Sequence, residues 1–138
     1  MRQTFLSRST EETQALAKAI AQKIPRGTLI CLYGPLGSGK TVFVRGLAKG
    51  LKTRGHVQSP TFPLLREYRC SKGTLYHMDL FRIRPRDFSA LGFEEFFNPV
   101  NGWTAIEWAD KVRRRLPPER LDIRLKILSP SCREITTA

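Results

Sequence analysis

Thr28-Leu29-Ile30-Cys31-Leu32-Tyr33-Gly34-Pro35-Leu36-Gly37-Ser38-Gly39-Lys40-Thr41 joins a compact apolar run to a full match of the pattern G-x-x-x-x-G-K-[ST]. An apolar run of this length reads as a strand buried on both faces. Glycines at 34, 37 and 39 permit backbone angles that side chains forbid, so the loop amides can turn inward around an anion. The residues beyond, through Phe43, Leu47 and Leu51, read as a helix whose unpaired N–H groups and positive dipole end face the loop. Lys40 adds a full charge between the terminal phosphates, and the Thr41 hydroxyl can ligate magnesium. The stretch predicts a site for Mg-ATP, with Gly34, Leu36, Gly37, Ser38, Gly39, Lys40, Thr41 and Val42 around the phosphates. The alternative, a chance glycine turn, is disfavoured by the strand before it and the helix after it.

Working outward, Ser9-Thr10-Glu11-Glu12 fits a capping box, in which Ser9 accepts from Glu12 and the Glu12 carboxylate reaches back. Leu16, Ile20 and Ile24 recur every four residues and predict the apolar stripe of a helix, ended by Pro25-Arg26-Gly27. Phe62 to Tyr68 and Thr74 to Leu80 flank Cys70-Ser71-Lys72-Gly73 as a hairpin. Asp87 is placed to cap a helix running through Leu91 to Phe97. Trp103 to Trp108 reads as another core strand, and Leu121 to Ile127 alternates as a strand with one solvated face. The expected fold is α/β: a P-loop NTPase-like sandwich with a central, mostly parallel sheet plus antiparallel strands. No strand order follows from the pattern.

A P-loop alone does not hydrolyse ATP; a carboxylate must hold the magnesium shell and a further group must orient water. Asp79 and Glu107 each close an apolar run, so either would project from a strand end, where ligands of open α/β sheets collect. The alternatives are a surface hairpin residue for Asp79 and a salt-bridged strand end for Glu107.

The chain of 138 residues has room for one domain, spanning 1–138, that needs no disulfide or metal staple. Cys31, Cys70 and Cys132 are odd in number and far apart, and with two histidines a zinc site lacks ligands. No apolar run approaches the roughly 18 residues of a membrane span, and Met1 to Phe5 opens no secretory signal. A reduced, cytoplasmic protein without membrane contact is expected. The net charge of +12 is uneven: residues 1–60 hold ten Lys/Arg against two acids, residues 61–110 six against seven, and residues 111–138 eight against three. Basic ends around an acid-enriched middle suit a polyanion partner and a cation held near phosphate.

With the loop, Asp79 and Glu107 in view, the chain resembles the TsaE family, the P-loop ATPases of bacterial tRNA threonylcarbamoyladenosine biosynthesis. Beside the loop, the resemblance rests on Ser59-Pro60-Thr61-Phe62, Tyr76-His77-Met78-Asp79-Leu80-Phe81-Arg82, Leu91-Gly92-Phe93-Glu94-Glu95 and Ile106-Glu107-Trp108. The loop is common to many NTPases; the combination of the other segments is specific. The resemblance implies Thr41 and Glu107 as magnesium ligands, with Asp79 near the γ-phosphate, assisting hydrolysis and touching the metal through its water shell. It implies that Thr61 senses the γ-phosphate from a switch-like loop, and that Thr10 and Arg133 serve the adenine side. It further implies the partners TsaD and TsaB, tRNA reached through that complex, and slow hydrolysis alone that the partners stimulate. Direct contact with tRNA is motivated by the charge. Trp108 reads as a core residue, with a place beside the site as the alternative, and His77 as a hydrogen-bonded structural histidine. Departures from the family pattern are Pro35 after the first loop glycine and Val42 where a second threonine is usual; Asp110 fills the place of an acid beyond Trp108.

Two readings from other classes compete. A small-molecule kinase would use the same loop under an arginine lid, for which Arg113-Arg114-Arg115 is the visible candidate. A nucleotide-dependent RNA-binding module would draw on the charge, although no aromatics interleave the basic runs.

Overall fold

The computed structural model describes residues 2–54 and 64–138. Among them, β1 (Gln3–Ser7), α1 (Thr10–Ala21), β2 (Leu29–Tyr33), α2 (Lys40–Gly50), β3 (Leu65–Cys70), β4 (Gly73–Asp79), β5 (Gly102–Glu107), β6 (Leu121–Ile127) and β7 (Arg133–Thr137) follow one another. The strands form one sheet in the order β1-β7-β6-β2-β5-β4-β3. β2 is parallel to both of its neighbours, β5 and β6, and β4 is parallel to β5. The outer pairs β1–β7, β6–β7 and β3–β4 are antiparallel. The expected parallel centre with antiparallel additions is therefore the observed sheet.

Alternation along β2 explains why its sequence is apolar throughout. Ile30 and Leu32 pack on one face with Phe43, Val44 and Leu47 of α2, while Leu29, Cys31 and Tyr33 pack on the other with Met78, Leu80, Phe88 and Ile106. All five residues of β2 are buried. Helices cover one face and a series of short 3-10 segments covers the other.

Helix α1 begins as its sequence demands: Ser9 is extended and its hydroxyl accepts from the Glu12 amide at 3.0 Å. The Glu12 carboxylate reaches one residue further back than expected, to the amide of Arg8 at 2.9 Å. The expected stripe Leu16, Ile20, Ile24 is only partly buried; Thr13, Ala17 and Ala21 form the buried line, and Ile24 lies beyond the last turn. The cause is the neighbouring helix. A Cβ on Gly46 would lie 2.7 Å from the Ala17 Cβ, and one on Gly50 would lie 2.7 Å from that of Ala21. At such close approach only small side chains fit between the axes.

The helix expected through Leu91 to Phe97 is instead two short 3-10 turns, Ser89–Leu91 and Phe93–Phe96, preceded by a third over Pro85–Asp87. Gly92 at φ +71° breaks the run, and Asp87 bonds Arg84 at 2.8 Å instead of capping. The break lets Phe88 stack on Phe97 at 5.7 Å and meet Phe93 edge-on at 6.2 Å, filling a face that no α-helix among the described residues covers.

Candidate functional site

Three adjacent strands end at one rim of the sheet. β2 runs into the glycine loop after Tyr33, β5 ends at Glu107 and β4 ends at Asp79. In the parallel registers Leu32 lies beside Glu107, and Glu107 beside Asp79. The two acids and the loop are thus delivered together at the carboxyl ends of the strands.

The loop is shaped by space at one glycine and by conformation at another. A Cβ on Gly34 would meet the Ser38 hydroxyl oxygen at 2.5 Å and the Leu125 carbonyl at 2.7 Å. Gly37 has nothing near it among the described residues, but φ +81° lies in the left-handed region. Helix α2 then starts at Lys40 behind Gly39, without a side-chain cap, leaving its first amides for an anion.

Lys40 folds back over the loop. Its ammonium donates to the carbonyls of Gly34 at 2.6 Å and Pro35 at 2.9 Å, and lies 4.0 Å from the centre of the Trp108 ring. Burial lowers its pKa, opposed by the negative charges of Glu107, Asp79 and Asp110. Trp108, expected in the core with a place beside the site as the alternative, does both: half-buried, it packs against the core and lines the cavity, with Phe81 against it at 5.0 Å. A left-handed backbone at φ 62° ends the strand there and turns the ring toward Lys40.

Glu107 is 3% exposed and is held from two sides. The Thr41 hydroxyl donates to its carboxylate oxygens at 2.9 and 3.0 Å, and His77 Nε2 lies 2.6 Å from Oε2. The fully buried His77 is the structural histidine expected, and what it does there is orient the acid. Asp79 accepts from the Phe81 amide at 3.0 Å. Burial raises its pKa, the Phe81 amide lowers it, and the charge of Glu107 raises it.

Leu36, Gly37, Gly39, Lys40, Thr41, Val42, Asp79 and Glu107 line one cavity of about 280 Å³. Thr10, Ser38 and Arg133 line a neighbouring cavity of about 400 Å³ that shares Gly37, Gly39 and Val42 with the first. The Arg133 guanidinium donates to the carbonyls of Gly37 at 3.0 Å, Ser38 at 3.1 Å and Ser129 at 2.9 Å. The resemblance implied Arg133 for this side of the site; its clip from β7 onto the loop depends on a strand pairing that no local pattern announced. Thr61 and the segment Ser59-Pro60-Thr61-Phe62 lie outside the described residues. Arg113, Arg114 and Arg115 line a separate groove, not these cavities.

The donor set suits magnesium. Thr41 and Glu107 offer a hydroxyl and a carboxylate within 3.0 Å of each other, and such hard oxygens favour Mg²⁺ over softer metals. No cluster of three or more His, Cys, Asp or Glu ligands occurs among the described residues. Magnesium at phosphate sites needs none, because phosphate oxygens and water complete its shell.

Comparison with known proteins gives one answer. The family model for "Threonylcarbamoyl adenosine biosynthesis protein TsaE" matches residues 7–135. The chain is 41% identical over 126 residues to the tRNA threonylcarbamoyladenosine biosynthesis protein TsaE of Bacillus subtilis, covering 91% of this chain and 78% of that one. Against the protein of the same name from Treponema pallidum, identity is 38% over 134 residues, covering 96% and 98%. The crystal structure of Bacillus subtilis YdiB superposes with a TM-score of 0.82 at 37% identity, over 100% of this chain and 86% of that one.

Proposed function

The chain belongs to the TsaE family, and from that membership we propose that it is the ATP-binding, ATP-hydrolysing subunit for threonylcarbamoyl modification of tRNA adenosine 37. The proposal extends to TsaD and TsaB as the proteins it acts on and to the cytoplasm as its place. Free cysteines and the absence, among the described residues, of a helix long and apolar enough to cross a membrane are in keeping with that place.

The observation that carries the reading is the Thr41–Glu107–His77 chain of contacts beside the phosphate loop. We assign Thr41 and Glu107 to hold Mg²⁺, with Asp79 beside them. Bound magnesium would neutralise charge developing on the β- and γ-phosphates. The loop amides and Lys40 fix the polyphosphate and stabilise the same charge as water attacks the γ-phosphate in line. Lys40 must exchange the Gly34 and Pro35 carbonyls for phosphate oxygens to do so, and Asp79 orients the attacking water in this reading. Thr61 completes the proposed set as the γ-phosphate sensor, and Thr10 and Arg133 take the adenine side. Hydrolysis by the chain alone is slow in this reading. The arginine run lines another groove, which removes the feature that favoured a small-molecule kinase.

The test is tRNA modification reconstituted with the TsaD–TsaB pair. The expected result is loss of multiple-turnover modification with Lys40→Ala and with Glu107→Ala, both still folded, and faster ATP turnover when the pair is added. Equal turnover with and without the pair would overturn the reading.

A further inference from the structure

The loops leaving Asp79 and Glu107 build a second feature. One runs through Arg82 to the 3-10 turn Pro85–Asp87; the other is the 3-10 segment Ala109–Arg115. Between them lies a groove of about 620 Å³ lined by Arg86, Lys111, Arg113, Arg114 and Arg115, with Asp110 as its acid. Lys111 is committed to the carbonyls of Phe81 and Ile83, and Arg115 pairs with Glu94 at 3.2 Å. Arg86, Arg113 and Arg114 are exposed and form no ion pair among the described residues. Buried Val112 and Leu116 anchor the second wall, and the non-helical backbone of Val112 (φ −124°, ψ 28°) interrupts its turns just before the arginines. Like charges gathered this closely repel one another, and a polyanion relieves the repulsion.

We propose that this groove seats the phosphodiester backbone of RNA. Four of its five cations are arginines, whose planar forks match phosphate oxygens two at a time. No aromatic side chain lines it among the described residues, so these cations grip phosphates without stacking bases. RNA rather than an acidic protein surface is chosen on the strength of the tRNA-modification reading above. Lys111 ties the groove to the site: it holds the carbonyl of Phe81, whose ring borders the nucleotide cavity.

The experiment measures tRNA binding to the full chain by fluorescence anisotropy across a salt series. It compares the triple variant Arg86→Gln, Arg113→Gln, Arg114→Gln with a control triple, Arg26→Gln, Lys52→Gln, Lys72→Gln, around a different cavity. The groove triple is expected to weaken binding by about 10-fold or more and to flatten the slope of log K against log salt by about 2, with the control close to wild type. Hydrolysis of ATP by the isolated groove triple should match wild type, so a failure of the ATPase reading would appear separately, in wild type itself. Equal losses in both triples would overturn the proposal, since binding would then follow overall charge. So would unchanged tRNA binding in the groove triple, with or without loss of binding to polyglutamate, the probe for an acidic protein surface.

Discussion

The Thr41 hydroxyl donates to both carboxylate oxygens of Glu107, at 2.9 and 3.0 Å, although 66 positions separate them in the chain. The bond brings the first turn of α2 to the end of β5. On the proposed assignment, it pre-positions two oxygen donors that a divalent cation bound to phosphate would share. His77 Nε2, 2.6 Å from Oε2 of the same carboxylate, holds it as well.

Glu107→Gln keeps the shape of the side chain and removes its charge. Hydrolysis should fall by about 100-fold or more, since the change strikes charge stabilisation in the transition state. His77→Gln leaves Glu107 charged but less well oriented, and should raise the Mg²⁺ concentration needed for half-maximal rate by about 10-fold or more. Steady-state rates over a magnesium titration separate the two. An unchanged magnesium midpoint in His77→Gln would deny the histidine its positioning role.

Lys40 over the face of Trp108 supplies a reporter. When the ammonium moves to a polyphosphate, a charge leaves the indole at 4.0 Å and the emission of Trp108 should change. Trp103, 5% exposed in the core on the helix side, should stay silent. ATP is therefore expected to alter tryptophan fluorescence in Trp103→Phe but not in Trp108→Phe. A response that survives the loss of Trp108 would break the link between Lys40 movement and binding.

Two glycines separate crowding from conformation. Alanine is the better helix former by about 0.8–1 kcal/mol, yet a Cβ on Gly46 would lie 2.5 Å from the Gln14 carbonyl and 2.7 Å from the Ala17 Cβ. Gly46→Ala should destabilise the fold by about 1–3 kcal/mol as α1 and α2 are pushed apart. Gly37→Ala meets no neighbour among the described residues but strains a left-handed residue, which costs about 1–2 kcal/mol. Urea unfolding of both variants decides the matter, and a more stable Gly46→Ala would contradict the close helix crossing.

These contacts also mark how far the sequence could be read. β2, the loop and α2 were legible because a fully apolar run, fixed glycines and helical periodicity are local signals. Asp79 and Glu107 were legible as acids ending apolar runs, and their meeting follows from strand order, which local patterns do not contain. β1 and β7 went unread because each is short and weakly apolar and they pair across the whole chain, with Thr4 and Thr136 facing each other. The buried line of α1 was misread because large apolar residues dominate a periodicity count. What set the packing there was the pair of small residues on the opposing helix. Trp108 looked like core because an aromatic after an apolar run usually is; it does pack against the core, and its left-handed backbone, which no local pattern announces, lets it line the cavity as well.

Cys31, fully buried in β2, gives a pH signature. Desolvation pushes its thiol from 9.0 up to about 12, with the nearby Asp122 charge adding to the rise. An unfolded chain loses this proton near its ordinary value, whereas the folded chain keeps it. Below an ordinary thiol pKa both states are protonated, so the stabilising contribution is whole; it drains as pH rises toward the folded value. The loss is about 1.4 kcal/mol for each pH unit above roughly 9. Cys70, half-buried and pushed up to about 11, adds a smaller loss of the same sign. Urea unfolding at about pH 8 and about pH 10.5 should show a fall in stability that shrinks by about 2 kcal/mol in Cys31→Ala, whatever the variant's own starting stability. An equal fall in the two proteins would mean that the folded thiol ionises as freely as the unfolded one, and β2 would not be the dry centre of the sheet.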